Sequence, residues 1–326
     1  MRSWVSLVLP PAILLLGLSC APPPAEERQS HAPETLPVGL FTPSADGVLI
    51  HYESRGSGGP ALVLVHGWSC DMSYWKPQVD HFASHRQTVT LDLAGHGKSG
   101  LDRKAWTMAA FGQDVQAVIE ALDLKQVVLV GHSMGGSVIL EAARRVPERV
   151  AALVPVDTFF DVEQRFSTEQ ANQFLTPFRA DFPSATRVFL RENMFTPGTD
   201  PALVERIVAD MSAAPAEVAL GALEELVTHD LTALLGQVRS PIRCINSDKY
   251  ATQVEIARRY APSFGVILMS GVGHFPMLED PETFNRLLAE TVKELVSGQA
   301  TGSTAEGYRW PGGLGKEVKV ADPHVS

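Results

Sequence analysis

Residues 127–136 constrain the fold of this chain more than any other segment. They read VVLVGHSMGG, in which an apolar run typical of a buried strand ends in Gly-x-Ser-x-Gly and a helix-like pattern follows directly. A turn this sharp strains the backbone of its central residue, Ser133, and the flanking glycines leave room for the chain to pass. The segment therefore predicts a strand–turn–helix unit with the Ser133 hydroxyl exposed at the carboxyl end of a strand.

Short apolar runs recur along the chain, separated by segments of helix length. Such continuous runs are typical of strands that are covered on both faces of a parallel sheet. They predict strands at residues 61–65, 88–91, 126–130, 150–156, 242–245 and 266–269. Apolar spacings of three and four residues predict helices at 73–83, 108–122, 134–145, 251–260 and 281–296. With an antiparallel hairpin at 48–53, this alternation predicts an α/β fold, a mostly parallel sheet with helices on both faces.

The alternation stops between residues 156 and 241, where helix-like segments occur without a convincing strand. Eight phenylalanines lie among them: Phe159, Phe160, Phe166, Phe174, Phe178, Phe182, Phe189 and Phe195. An aromatic helical insertion at one end of a sheet can cover an apolar pocket. Alternatively, each phenylalanine belongs to the small core of the insertion itself.

Three further motifs each follow a predicted strand. They are His66-Gly67-Trp68, residues 92–99 (DLAGHGKS) and residues 271–276 (GVGHFP). With the Ser133 turn, they give the chain a resemblance to the α/β-hydrolase fold family over roughly residues 46–296. The resemblance implies a hydrolase core at 41–157 and 231–296, with a helical cap at 158–230.

Ser133 is the candidate nucleophile, and a serine hydroxyl attacks a carbonyl usefully only if a base takes its proton. Of the ten histidines, His274 is favoured because it lies in a glycine-rich loop after the last predicted strand. His132 should point away from the Ser133 hydroxyl. His96 should pack or hydrogen-bond within its own loop.

Two aspartates compete for the acid that orients His274 and stabilises its imidazolium form. Asp248 follows the strand at 242–245, where most members of the resembled family place this acid, although the glycine expected before it is replaced here. Asp157 directly follows the strand at 150–156, which is the alternative site in some relatives. Both satisfy the order Ser, Asp, His. We prefer Asp248, with Asp157 as the alternative; either could instead cap a helix or fix a loop.

Acyl transfer also needs N–H donors where negative charge develops on the carbonyl oxygen. Met134 would supply one backbone N–H, because it follows the nucleophile at the start of a helix. The resemblance assigns the second backbone N–H to Trp68. A single glycine precedes Trp68, so this loop differs from the H-G-G-G type.

The resemblance implies a cofactor-independent serine hydrolase that opens an ester-like bond through an acyl-enzyme at Ser133, with a carboxylic ester as the expected substrate. An iminopeptidase-like peptidase, a lactonase or a carbon–carbon bond hydrolase would use the same triad. A noncatalytic ligand-binding protein on this scaffold is the alternative of another class. The serine excludes mechanisms that need a carboxylate nucleophile at this turn.

Composition narrows the partners to a small molecule, apolar or uncharged. The net charge of -10 and the pI near 5.5 argue against a nucleic-acid partner. The sequence contains neither C-x-x-C nor H-E-x-x-H, so no metal is expected. Beyond the N-terminal region only Cys70 and Cys244 remain, which is too few for a disulfide framework.

The N-terminus has the pattern of a targeting segment over residues 1–20, because Arg2 precedes a mostly apolar run. Cys20 resembles a bacterial lipoprotein processing site, and a proline-rich linker follows it at 21–40. We therefore expect export to the periplasm or anchoring as a membrane-associated lipoprotein in preference to free secretion. The glycine-containing tail at 297–326 has little apolar periodicity and is expected to be unstructured.

Overall fold

The computed structural model describes residues 40–301, with side chains up to residue 298. The expected targeting segment, the lipidation candidate Cys20, nearly all of the linker and most of the tail lie outside the described residues. Export and anchoring therefore stay predictions. Within residues 40–301, no helix combines the length and the hydropathy required of a membrane span.

Eight strands of the described chain form one sheet in the order β1-β2-β4-β3-β5-β6-β7-β8. They are β1 (Leu40–Pro43), β2 (Leu49–Arg55), β3 (Ala61–Val65), β4 (Thr88–Leu91), β5 (Val127–His132), β6 (Val150–Val156), β7 (Arg243–Ser247) and β8 (Gly265–Met269). Strand β2 pairs antiparallel with β1 and β4, and every other pairing is parallel. The predicted α/β class with a mostly parallel sheet is confirmed.

The connections between the parallel strands are largely helical. After a 3-10 turn at Met72–Trp75, the helices are α1 (Lys76–Phe82), α2 (Met108–Ala121), α3 (Met134–Arg145), α4 (Thr168–Ala180), α5 (Phe182–Asn193), α6 (Pro201–Ser212), α7 (Ala216–Thr228), α8 (Leu231–Leu235), α9 (Val254–Arg258), α10 (Pro276–Glu279) and α11 (Pro281–Thr301). Strands β3, β5 and β6 are buried along their whole length, as their continuous apolar sequences require.

The antiparallel hairpin predicted at 48–53 is confirmed, because β2 pairs antiparallel with β1, a short strand whose Pro43 an edge strand tolerates. Two helices differ from the sequence prediction. Helix α9 is half the predicted length, because its start is delayed by two loop contacts, Gln253 N–H to the Phe160 carbonyl and Asn246 Nδ2 to Thr252 Oγ1. Helix α11 continues past residue 296 to Thr301, since a glycine at 298 weakens a helix without ending it.

Helices α4 to α7 lie between β6 and the last two strands and form the helical insertion. Rings of Phe174, Phe178 and Phe189 pack on one another with centroids 5.5–5.8 Å apart. Phe178 and Phe182 also present their rings to Trp68, at 6.1 and 6.0 Å. The phenylalanines therefore serve both as the insertion's own core and as a contact with the loop that follows β3.

Candidate active site

The turn from β5 to α3 has the sharp geometry that the sequence predicts. Ser133 adopts φ 52° and ψ −116°, a left-handed conformation that a residue with a side chain rarely takes. Hydrogen bonds hold the turn, with Ser133 N–H donating to the Val156 carbonyl at 2.8 Å and Gly136 N–H donating to the Ser133 carbonyl at 2.9 Å. Ser133 stays partly exposed between two buried elements.

The glycines beside Ser133 are required by close backbone approach. A Cβ at Gly131 would lie 2.3 Å from the Gly135 carbonyl oxygen. A Cβ at Gly135 would lie 2.7 Å from the carbonyl oxygens of Val65 and His66. The first turn of α3 therefore packs directly against the end of β3, so that the loop after β3 begins beside Ser133.

His274 lies between β8 and α10 and pairs with an aspartate from another strand end. Its Nδ1 is 2.7 Å from Oδ2 of Asp157, the residue that follows β6. The other carboxylate oxygen, Oδ1, accepts the Ser247 N–H at 2.6 Å. The side chain of Asp157 is 1% exposed and that of His274 is 15% exposed, so the pair is shielded but the imidazole remains reachable.

The electrostatics of Asp157 favour an ionised carboxylate. Burial acts to raise its pKa, but hydrogen bonds from His274 and Ser247, with the charge interaction with His274, hold the pKa below its ordinary value. An ionised Asp157 accepts from Nδ1–H of His274, which leaves Nε2 free to accept a proton.

The expected pairing of Asp248 with His274 is wrong in this geometry, and the alternative, Asp157, takes that place. Asp248 is exposed one residue beyond β7; its N–H donates to the Met269 carbonyl at 3.1 Å, and its carboxylate has no hydrogen-bond partner among the described residues. Asp157 adopts φ 47° directly after β6 and is buried against Ser247 and His274. The sequence signal for Asp157 is the unbroken apolar run of β6 that ends at this residue.

His132 has a contact that the sequence did not reveal. Its Nε2–H donates to the His274 carbonyl at 2.7 Å, and the two ring centroids are 4.8 Å apart. Burial lowers the pKa of His132 to about 3, so the ring is neutral. His96, by contrast, hydrogen-bonds to Ala94 within its own loop at 3.0 Å, as predicted.

The loop after β3 and the start of α3 each carry one candidate N–H donor for stabilising an oxyanion. Within residues 40–301, neither the Trp68 N–H nor the Met134 N–H has a hydrogen-bond partner. The loop itself is fixed, because His66 Nδ1–H donates to the Gly67 carbonyl at 2.8 Å and Trp68 Nε1–H donates to the Ala219 carbonyl of α7 at 2.8 Å. Two backbone donors thus remain available on a rigid frame.

Comparison with known proteins agrees with this architecture. Residues 62–287 match the family described as "Alpha/beta hydrolase family". The chain is 30% identical over 273 residues to the dihydrolipoyllysine-residue acetyltransferase component of the acetoin cleaving system of Pseudomonas putida, covering 80% of this chain and 70% of that protein. It is 29% identical to the pimeloyl-[acyl-carrier protein] methyl ester esterase of Yersinia pseudotuberculosis serotype IB, covering 75% of this chain and 98% of that one.

A solved structure extends the comparison to three dimensions. The thermophilic esterase from Thermogutta terrifontis superposes with a TM-score of 0.68 at 25% identity, covering 80% of this chain and 99% of that one. The sheet order, the motifs at the strand ends and the family match over residues 62–287 all indicate the same fold family. The chain belongs to the alpha/beta hydrolase family.

Proposed function

We propose that this alpha/beta hydrolase cleaves a carboxylic ester through an acyl-enzyme at Ser133, without a cofactor. The observation that carries the proposal is the 2.7 Å pairing of His274 with buried Asp157, at the same edge of the sheet as the strained Ser133 turn. The ester bond is further supported by relatives whose names include an esterase of a methyl ester and a thermophilic esterase.

In the proposed first half-reaction, Oγ of Ser133 bonds to the ester carbonyl carbon while its proton moves to Nε2 of His274. The Nδ1–H of His274 keeps donating its hydrogen bond to Asp157, so the imidazolium is paired with a carboxylate. The N–H groups of Met134 and Trp68 would bind the oxyanion. When the carbon–oxygen bond to the leaving alcohol breaks, the alcohol takes the proton from His274 and the acyl group stays on Ser133.

Water completes the cycle by the reverse movement of the proton. His274 accepts a proton from the water, the water oxygen bonds to the acyl carbon, and the proton returns to Oγ of Ser133 as the carboxylic acid leaves. One ester and one water thus become one acid and one alcohol, and the enzyme is unchanged.

The helical insertion is proposed to act as the cap that selects an uncharged or apolar small molecule. Phe178 and Phe182 face Trp68, which also donates its indole N–H to α7. A charged group brought against these rings would lose its hydration without a compensating partner, which is costly. Esters of graded acyl length, an aminoacyl-anilide panel and a lactone panel test this choice, and turnover confined to the anilides or lactones would replace the ester assignment.

The decisive test of the nucleophile combines a serine-directed phosphonate with p-nitrophenyl esters. We expect covalent mass on the peptide that carries Ser133, and a loss of ester turnover of at least about a thousandfold in Ser133→Ala. Ser84→Ala, which changes an exposed serine at the end of α1, is the matched control and should keep wild-type rates. Ester hydrolysis with an unmodified Ser133, or undiminished hydrolysis by Ser133→Ala, would refute the proposal.

A further inference from the structure

Glu279 holds the backbone on both sides of His274. Its Oε2 accepts the Gly273 N–H at 2.9 Å, and its Oε1 accepts the Phe275 N–H at 3.1 Å. The Thr199 hydroxyl, from the connection between α5 and α6, also donates to Oε2, at 2.7 Å. One carboxylate therefore receives three hydrogen bonds, two of them from the residues that flank the proposed base.

The backbone of His274 itself is bound from two other directions. Its N–H donates to the Met194 carbonyl at 2.7 Å, and its carbonyl accepts from Nε2 of His132 at 2.7 Å. The chain at Gly273 is closely packed against the Met194 carbonyl and the Glu279 carboxylate. A Cβ at Gly273 would lie 2.5 Å from the Met194 oxygen and 3.0 Å from Oε1 of Glu279. With Glu279, these contacts fix the chain from residue 273 to residue 275, and the imidazole has only its side-chain torsions left.

We propose that Glu279 is a positioning residue for His274, a role that rests on the proposed function. Carboxylate oxygens that accept N–H donors form bonds roughly twice as strong as neutral ones. Because Glu279 binds the chain both before and after His274, it sets where the imidazole stands between Asp157 and Ser133. A reacting group displaced by about 1 Å can lose about a hundredfold in rate.

A purely structural role for Glu279 must be separated from this one. Phe275 is the residue at the start of α10, so the contact with its N–H also closes the first turn of that helix. Loss of such a cap lowers stability, whereas loss of positioning lowers kcat in a protein that is still folded. The experiment therefore measures kcat, KM, the phosphonate labelling rate and Tm together.

Glu279→Gln is the sharpest variant, because the amide keeps the shape but has one oxygen and turns an NH₂ group toward a backbone N–H. We expect kcat and the rate of Ser133 labelling to fall about 10- to 100-fold, with KM within about threefold. The assay temperature is one at which circular dichroism shows a folded variant. Glu282→Gln removes the same charge from an exposed position in the first turn of α11 and should match wild type in all four measurements.

The outcomes distinguish a failure of the positioning role of Glu279 from a failure of the proposed function of Ser133. If wild-type Ser133 is labelled and Glu279→Gln is labelled equally fast, Glu279 does not position His274. A rate loss no larger than the unfolded fraction, or one that resides in KM alone, also overturns the inference. If wild-type Ser133 is not labelled at all, the proposed function fails and the positioning role falls with it.

Discussion

Replacing Asp157 by asparagine tests the central pairing of the site, because the variant keeps the side chain's shape and removes its charge. The native oxygens accept from Ser247 N–H at 2.6 Å and from His274 at 2.7 Å, whereas asparagine has one oxygen. If that oxygen stays with Ser247, the amide NH₂ faces Nδ1 of His274. Nδ1 must then accept, the ring proton moves to Nε2, and Nε2 can no longer take the proton of Ser133.

The size of the effect follows from charge and tautomer together. An imidazolium with a carboxylate about 4 Å from its centre of charge gains about 4 kcal/mol at an effective dielectric constant of about 20. At about 1.4 kcal/mol for each tenfold in rate, this alone is worth about 10³ in kcat. The unfavourable tautomer adds to it, so we expect Asp157→Asn to lower kcat by about 10³- to 10⁴-fold.

Asp248→Asn is the matched control, since it makes the same change on an exposed carboxylate at the end of the neighbouring strand. We expect kcat within about threefold of wild type, because the exposed carboxylate makes no hydrogen bond within residues 40–301. Hydrolysis of a p-nitrophenyl ester, with circular dichroism to verify folding, measures both variants. The assignment of Asp157 as the acid would be refuted if Asp157→Asn kept more than about a tenth of the wild-type kcat. It would also be refuted if Asp248→Asn lost as much kcat as Asp157→Asn.

Three further substitutions test the residues that surround the candidate site. Gly135→Ala places a Cβ 2.7 Å from the carbonyl oxygens of Val65 and His66, so urea unfolding should show a loss of stability of about 1–3 kcal/mol, and an unchanged unfolding midpoint would contradict the close approach. Trp68→Phe removes the indole donor to α7 together with part of a buried ring. We expect kcat to fall about 3- to 10-fold at constant KM, since a buried hydrogen bond contributes about 1 kcal/mol. An unchanged kcat would show that the bond to α7 does not support the loop that carries the Trp68 N–H. Burial lowers the pKa of His96 to about 3 in the folded protein, whereas the pKa is about 6.5 in the unfolded chain. As the pH falls, only the unfolded state takes up a proton at His96. The free energy of unfolding should therefore fall by about 2 kcal/mol between pH 7 and pH 5 because of this residue. Urea unfolding of His96→Gln at both pH values should lack that part of the decline, whereas His81→Gln, at an exposed position, should retain it.

The sequence was informative wherever function depends on local pattern. The strand–turn–helix unit predicts Ser133 as a site residue and the glycine-rich loop after β8 predicts His274, because each of these signals is contained in one short run of consecutive residues. The acid could not be chosen this way. Asp157 and Asp248 both follow strands that end at the same sheet edge, and the choice depends on a pairing between residues 117 positions apart. For a related reason, the sequence did not point to Glu279. Its proposed positioning role depends on hydrogen bonds from the Gly273 and Phe275 N–H groups, which form only in the folded loop.

Backbone strain is concentrated at the candidate site. Of the five non-glycine residues within residues 40–301 that have a positive φ, three are Ser69, Ser133 and Asp157, with left-handed values of 54°, 52° and 47°. They follow β3, β5 and β6, which are neighbours in the sheet, so three strained residues lie at one edge. Each such conformation costs about 1–3 kcal/mol and persists only when the surroundings fix it. Glycine would relieve the strain at Ser133 and Asp157, but it would remove the hydroxyl and the carboxylate on which the proposed mechanism depends, so the strain is a cost in stability that this mechanism would require.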